Sequence, residues 1–291
     1  LLHNRFAQVR DLPRKAGTNV IKFRRYGILE AATTPLTEGV TPAGKQLSTT
    51  ELTAEVLQYG DYITVTDIVD MQSYDPVLTE VADEVLGDQV GLTLDRLCRD
   101  VITATTTRQY ASTATSRAEI AEAMKLNRAE VKEMVRTLRG NNAKPVTRMI
   151  NPSTGYNTTP VGKSFIGIID EDTLYDLDDA TGWIPVEKYP NKADVMEDEV
   201  GSLANVRFLM TTEGKTYDGT LVDTVHATLI FGTRAYAQTR ISGEAVTNIV
   251  KPLGAGEDPL NQRATSGWKA TYAAVILNHS WIGVIEHAVS S

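Results

Sequence analysis

The sequence is poor in the residues that build stapled or metal-dependent folds. Its 291 residues include one cysteine, Cys98, and four histidines, His3, His226, His279 and His287. A lone thiol forms no internal disulfide, which excludes a disulfide scaffold and fits a reducing compartment. None of the histidines stands at zinc-binding spacing from a partner, and one cysteine does not complete a thiolate site. Aromatics make up only 7% and are not interleaved with basic residues in the manner of a single-strand binder. Positive charge is also in deficit. Lys and Arg number 29 against 37 Asp and Glu, and the net charge of −8 argues against a general nucleic-acid binder. The longest apolar run, 273–285, is interrupted by Asn278, His279 and Ser280 and falls short of the roughly 18 residues that suggest a membrane span. The apolar fraction, 42%, is that of a globular chain. The length fits two or three average domains or one large one.

What positive charge there is gathers at the start. Leu1–Tyr26 carries Arg5, Arg10, Arg14, Lys15, Lys22, Arg24 and Arg25 against Asp11 alone, and it has no apolar core of the signal-peptide kind. Two readings stand: a solvated basic tail, or an arm lying across an acidic surface or near nucleic acid. Leu1 stands where an initiator Met is expected, which allows for a removed upstream segment.

The next stretch, Gly27–Asp70, is rich in Thr, Gly and Pro up to Gly44, then alternates around Tyr62–Thr66. It reads as a two-armed β-excursion with its tip near Thr41–Lys45, too poor in core residues to stand without support from another surface. Asp75-Pro76 reads as a helix start. Apolar residues from Leu78 to Ile102 then recur at helical spacing, which predicts a strut of about 30 residues, near 45 Å long. Gly87 and Gly91, one turn apart, suggest close packing or a bend. A short helical piece is expected at Ala118–Lys125. A second helix is expected from Asn127, whose capping box closes on Glu130 and whose stripe is Val131, Met134, Val135 and Leu138, with Gly140 as its stop. Strands are expected at Val146–Ile150, ended by Asn151-Pro152, and at Phe165–Ile169, Val206–Met210 and Val225–Phe231. One or two more are expected within Ala270–Ala288. The acidic run Asp170–Asp179 opens a helix at its positive dipole end and reads as a solvated helix start. About one residue in eight is Thr, which favours strands and extended loops over a helix bundle.

Catalytic and ligand-binding patterns fail one by one. Gly162-Lys163-Ser164 imitates the end of a phosphate loop, but Asn157 stands where the first glycine is required, and Gly155 is two residues too far away. Gly254-Ala255-Gly256 lacks the third glycine of a dinucleotide site. The Asp170 run fails the calcium-loop pattern, since Leu174 takes the fifth position. Asp178 and Asp179 are adjacent on a helix and point apart, so they form no acid–base pair. Cys98 reads as a small buried hydrophobe, and Trp183, Trp268 and Trp281 as anchors in cores or interfaces. No catalytic, metal-ligating or cofactor-binding residue is assigned, no cofactor is called for, and the chain does not read as an enzyme.

Several segments, in order, resemble a known family. They are Pro35–Gly39, Gln58–Tyr62, Asp75–Glu80, Lys251–Gly254, Asp258–Thr265 and Gly267–Thr271. Together they are similar to the major capsid proteins of tailed bacteriophages, in the group that includes the coat protein of phage N-four. The resemblance implies an α+β coat fold of the Hong-Kong-ninety-seven type, laid out as an N-terminal arm (1–26), an extended β-hairpin loop (27–70), a peripheral domain with a long spine helix (71–116), an axial domain (117–243) and a return to the peripheral domain (244–291). It implies self-assembly into pentamers and hexamers of an icosahedral head shell, formed in the host cytoplasm and ending in the virion. Scaffolding, portal or decoration proteins are possible partners, packaged double-stranded DNA is a neighbour without specific binding, and no membrane is involved. Some relatives cross-link through Lys and Asn. Lys45 could be cast in that role, but no Asn partner or catalytic acid is identified. Two alternatives stay open: another virion structural protein, such as a decoration or tail-tube subunit, and an unrecognised hydrolase.

Overall fold

The computed structural model describes residues 2–74, 80, 82–150, 158–243, 246–255 and 258–290. In chain order, β1 (Gln8–Val9) and β2 (Val20–Tyr26) open the chain, and β3 (Thr49–Glu55) and β4 (Leu57–Thr66) follow a long excursion. Helices α1 (Asp67–Gln72) and α2 (Ala82–Thr103) come next. The middle holds β5 (Arg108–Tyr110), α3 (Arg128–Gly140), β6 (Phe165–Ile169), α4 (Glu171–Asp178), β7 (Ile184–Pro185), β8 (Glu199–Leu203), β9 (Val206–Met210), β10 (Lys215–Asp218) and β11 (Thr224–Phe231). The last strands are β12 (Tyr236–Thr239), β13 (Val246–Lys251), β14 (Arg263–Ile276) and β15 (Ile282–His287).

β14 organises the first sheet. It pairs antiparallel with β4 from Arg263↔Thr66 to Tyr272↔Leu57, with β13 along its opposite edge, and with β12 at its far end. β1 adds parallel to β12. Glycine lets β4 and β14 approach: a Cβ on Gly60 would lie 2.6 Å from the Trp268 carbonyl oxygen, and one on Gly267 would lie 2.7 Å from the Tyr62 Cβ. Leu86 and Val90 of α2 pack on Trp268 and Ala270, and the Trp268 indole donates to Gln89 Oε1 at 2.9 Å.

The second sheet runs β5-β15-β11-β6-β9-β8-β7, with β10 beside β11. The unbroken apolar run of β6 is buried along its whole length, as a strand covered on both faces requires. Ile166 and Ile168 join a core with Cys98 and Ile102 of α2. Phe165 and Ile169 join a second core with Val131, Met134 and Leu138 of α3 and Leu177 of α4. The sheet is therefore the middle layer, with α2 beneath it and α3 and α4 above. The α3 capping box forms as expected: Asn127 Oδ1 accepts from the N–H groups of Ala129 and Glu130, and Glu130 Oε2 accepts from the Asn127 N–H.

Several sequence expectations are corrected. The start of the chain is not a solvated tail, because Leu2 and His3 are buried and β1 joins a sheet. The first arm of the hairpin is β2, within the segment read as the N-terminal arm, because Val20–Tyr26 pairs residue for residue with Thr49–Glu55. Within the described residues the strut is helical over Ala82–Thr103, about 33 Å, and it ends at Thr103 rather than Thr107. Asp75-Pro76 and most of the segment before Ala82 lie outside the described residues. A Cβ on Gly87 or Gly91 would meet nothing within 4 Å, so close packing among the described residues does not explain them. Of Ala118–Lys125, only a 3₁₀ turn at Arg117–Glu119 is helical. α3 runs through Gly140, and the left-handed residue that follows is Asn142, at φ 58°. Val146–Ile150 forms no strand, only an Ile150–Val161 bridge, and Asn151-Pro152 lies outside the described residues. Finally, β14 stays in the first sheet while β15 crosses to the second, so the end of the chain does not simply return to one body.

Candidate assembly surface

The β2–β3 hairpin is anchored at its base and bare beyond it. Ile21, Phe23, Ala54 and Val56 pack with Leu12 and Ala237, and the Gly27 N–H donates to the Ser48 carbonyl at 2.9 Å. Every residue from 24 to 51 is exposed. Ile28, Leu29, Leu36, Val40 and Leu47 all face solvent, Leu36 at 78% and Ile28 at 76% exposure. Lys45 Nζ donates to the Glu30 carbonyl across the excursion at 3.0 Å. An apolar set of this size on a projecting arm marks an interaction surface.

Two further surfaces share this character. Helix α1 buries no residue, and Ile68, Val69 and Met71, with Tyr74 after it, face outward. All six residues of β13 are exposed, and among the described residues its outer edge pairs with no strand. Between β13 and β4, the face of the first sheet holds an open groove of about 640 Å³ lined by Tyr62, Ile249 and Lys269.

Buried polar groups hold the arm and the chain end to this scaffold. The His3 backbone N–H donates to Asp95 Oδ1 at 2.9 Å, its Nδ1 lies 2.6 Å from Asp95 Oδ2, and Tyr236 donates to the His3 carbonyl. Burial works against the charged form of Asp95, but the hydrogen bonds from His3 outweigh it and hold the carboxyl below its ordinary range. Cys98 is fully buried with its sulfur 3.4 Å from the His3 carbonyl, and burial pushes its thiol up to about 12. It is an inert core residue, as its sequence position suggests. Glu286 on β15, with no exposed surface, accepts two bonds of 2.8 Å from Arg117 and a further one from Arg108. Glu199 on β8 is paired in the same way with Arg207 on β9.

The histidines fall into structural roles. His226 pairs with Asp170, whose other oxygen caps α4 by accepting from the Thr173 N–H at 3.0 Å. Burial opposes charge on His226, but the bond to Asp170 raises its pKa above the ordinary value. The Asp170 end of the acidic run is thus largely buried rather than solvated. Ligand atoms of Asp170, Asp172 and His226 lie within 4.8 Å of one another, a grouping that 56 residues of separation hid in the sequence. Within this grouping Asp170 is the cap of α4, with one oxygen engaged by Thr173 and the other by His226. His287 is wholly buried, bonded to Thr228 and to the Ala288 carbonyl, and burial lowers its pKa to about 4. His279 accepts from the Thr106 N–H beside the end of α2.

The rejected motifs are accounted for in space. Ser164 is buried and its hydroxyl donates to the Gly162 carbonyl at 2.8 Å. Asn157 and Gly155 lie outside the described residues, as does Gly256, while Gly254 takes a turn conformation at φ 85°. Trp268 is buried, and Trp183 and Trp281 are packed against the second core.

No protein-family model matches the chain, and no curated protein matches its sequence. Solved structures do match. A chain from the capsid of Ralstonia phage GP4 superposes with a TM-score of 0.75 at 12% identity, over 97% of this chain and 87% of that one. A chain of the cyanophage Pam1 capsid asymmetric unit matches at 0.68 and 13% identity, over 96% and 87%. A chain of the cyanophage P-SCSP1u capsid matches at 0.65 and 14% identity, over 100% and 88%. The fold is therefore that of phage capsid proteins, the α+β fold of the Hong-Kong-ninety-seven type.

Proposed function

We propose that this chain is the major coat protein of a tailed-phage head, similar to the phage N-four group, and that it assembles into pentamers and hexamers of an icosahedral shell around double-stranded DNA. The observation that carries the reading is a near-full-length capsid fold from which residues 24–51 project exposed, with five large aliphatic side chains and Tyr26. A hairpin of this kind gains its stability from a neighbour. The β2–β3 hairpin is the extended loop, α2 is the spine helix, and the first sheet with α2 makes up the peripheral body. Residues 117–243 are the axial portion, with β12 and β15 crossing between the two bodies. The role is structural, in the virion; scaffolding, portal or decoration proteins would meet the same exterior surfaces. The net negative charge suits a wall that must not hold the genome tightly.

Sedimentation tests the reading. The purified protein is expected to run as capsomers or shells. A tube would point to a tail subunit, and a stable monomer or dimer would overturn the proposal.

A further inference from the structure

The layer above the second sheet carries two charged surfaces of opposite sign. Lys132, Arg136 and Arg139 on α3 follow Arg128 at spacings that set all four along one side of the helix, over about 16 Å. They line a groove of about 360 Å³ closed on its far side by the β8–β9 turn at Ala204 and Asn205. Arg128 is fixed by donating to the Thr181 carbonyl, but among the described residues no carboxylate pairs with Lys132, Arg136 or Arg139. On the far side of the loop joining α4 to β7, a second groove of about 600 Å³ is lined by Glu171, Asp178, Asp179 and Glu187 around Tyr175, which is 73% exposed. Among the described residues none of these four carboxylates has a basic partner either.

Four uncompensated cations and four uncompensated anions on one chain, in separate grooves, are the composition of a head-to-tail contact, in which two different patches of identical subunits meet. We infer that the α3 groove of one copy receives the Tyr175 face of α4 from the next copy, with the charges as a rim around the aromatic side chain. This rests on the coat-protein reading and specifies a contact within the capsomer ring, independent of the extended loop. Nucleic acid is the competing occupant of the basic groove. The matched acidic groove and the aromatic side chain at its centre favour a second copy.

Charge reversal tests the inference. The triple variant Lys132→Glu, Arg136→Glu, Arg139→Glu and the triple variant Glu171→Lys, Asp178→Lys, Asp179→Lys change exposed positions only, and circular dichroism checks their folding. In analytical ultracentrifugation each alone is expected to lower the fraction in capsomers by about tenfold or more. Both triples combined in one chain are expected to restore it. Mixing the two variants should restore rings with even numbers of subunits and no pentamers, because alternation does not close around an odd ring. Unchanged assembly of either triple, or failure of the combined chain to recover, overturns the contact. Loss of binding to a duplex DNA fragment by the α3 triple, with assembly intact, overturns it in favour of nucleic acid. If the wild-type chain forms no rings at all, the coat-protein reading itself fails, and this contact with it.

Discussion

Asp95 in the middle of α2 holds His3 at two points, accepting its backbone N–H at 2.9 Å and lying 2.6 Å from its Nδ1. Ninety-two positions separate the two residues, and their bond fixes the chain start against the long helix before β1 enters the first sheet. The basic segment therefore begins as part of the core, and its charge is displayed from an anchored base.

Removing that anchor has a defined cost. Asp95→Ala leaves the His3 groups buried without a partner, which is expected to destabilise the subunit by about 3 kcal/mol in chemical denaturation. Hydrogen exchange at Gln8–Val9 should accelerate in the same variant. Because the Asp95 carboxyl is held below its ordinary value, its contribution is present above about pH 4 and is lost as the pH falls through the lower folded value. An unchanged exchange rate at β1 would show that Asp95 does not dock the arm.

Glu286 supports the chain end in the same way. It is the fully buried acceptor for Arg108 and Arg117, which follow α2. Glu286→Gln keeps the volume and removes the charge, and is expected to cost about 3 kcal/mol, read as a lower denaturation midpoint. A loss below about 0.5 kcal/mol would place this pair with exposed ion pairs in its energetic effect.

His287 predicts an acid response. Its folded pKa of about 4 lies below the ordinary 6.5, so its neutral form is the one the core accepts. The stability tied to it is complete above about pH 6.5 and is lost progressively as the pH falls towards 4, about 3 kcal/mol in all. His226, whose ring stacks on His287 at 6.4 Å, is shifted the opposite way by Asp170, and its contribution is lost as pH rises. His287→Gln should flatten the acid limb of a stability–pH curve. An unaltered limb would assign it to other groups.

The exposed excursion between β2 and β3 should change its accessibility with assembly. Lys45 sits on the exposed excursion, and trypsin is expected to cut after it first in free subunits. In assembled particles the same cut should slow by about tenfold or more, if a neighbour covers the loop. Equal rates in both states would leave the loop uncovered.

Sequence reading recovers what local chemistry dictates. The Asn127–Glu130 capping box, the apolar run of β6 and the opening of α4 at Asp170 each follow from a few adjacent residues, and each is in place. It fails where distant residues decide. Val146–Ile150 has strand composition but finds no partner strand, and β2 looks like part of a basic tail until Thr49–Glu55 is set beside it. The clusters His3–Asp95 and Asp170–His226 join positions 92 and 56 residues apart, beyond any local motif. The bare apolar loop was readable only as a stretch with too little core.

Electron microscopy of the protein with and without residues 32–46 tests the central claim most directly. The full chain is expected to form closed shells, and the shortened chain, joined by a brief Gly-Ser linker that preserves the Gly27–Ser48 closure, is expected to remain folded as subunits or isolated rings. Normal shells from the shortened chain would contradict the role given to the loop. Absence of shells, capsomers and any larger assembly from the full chain would contradict the coat-protein account as a whole.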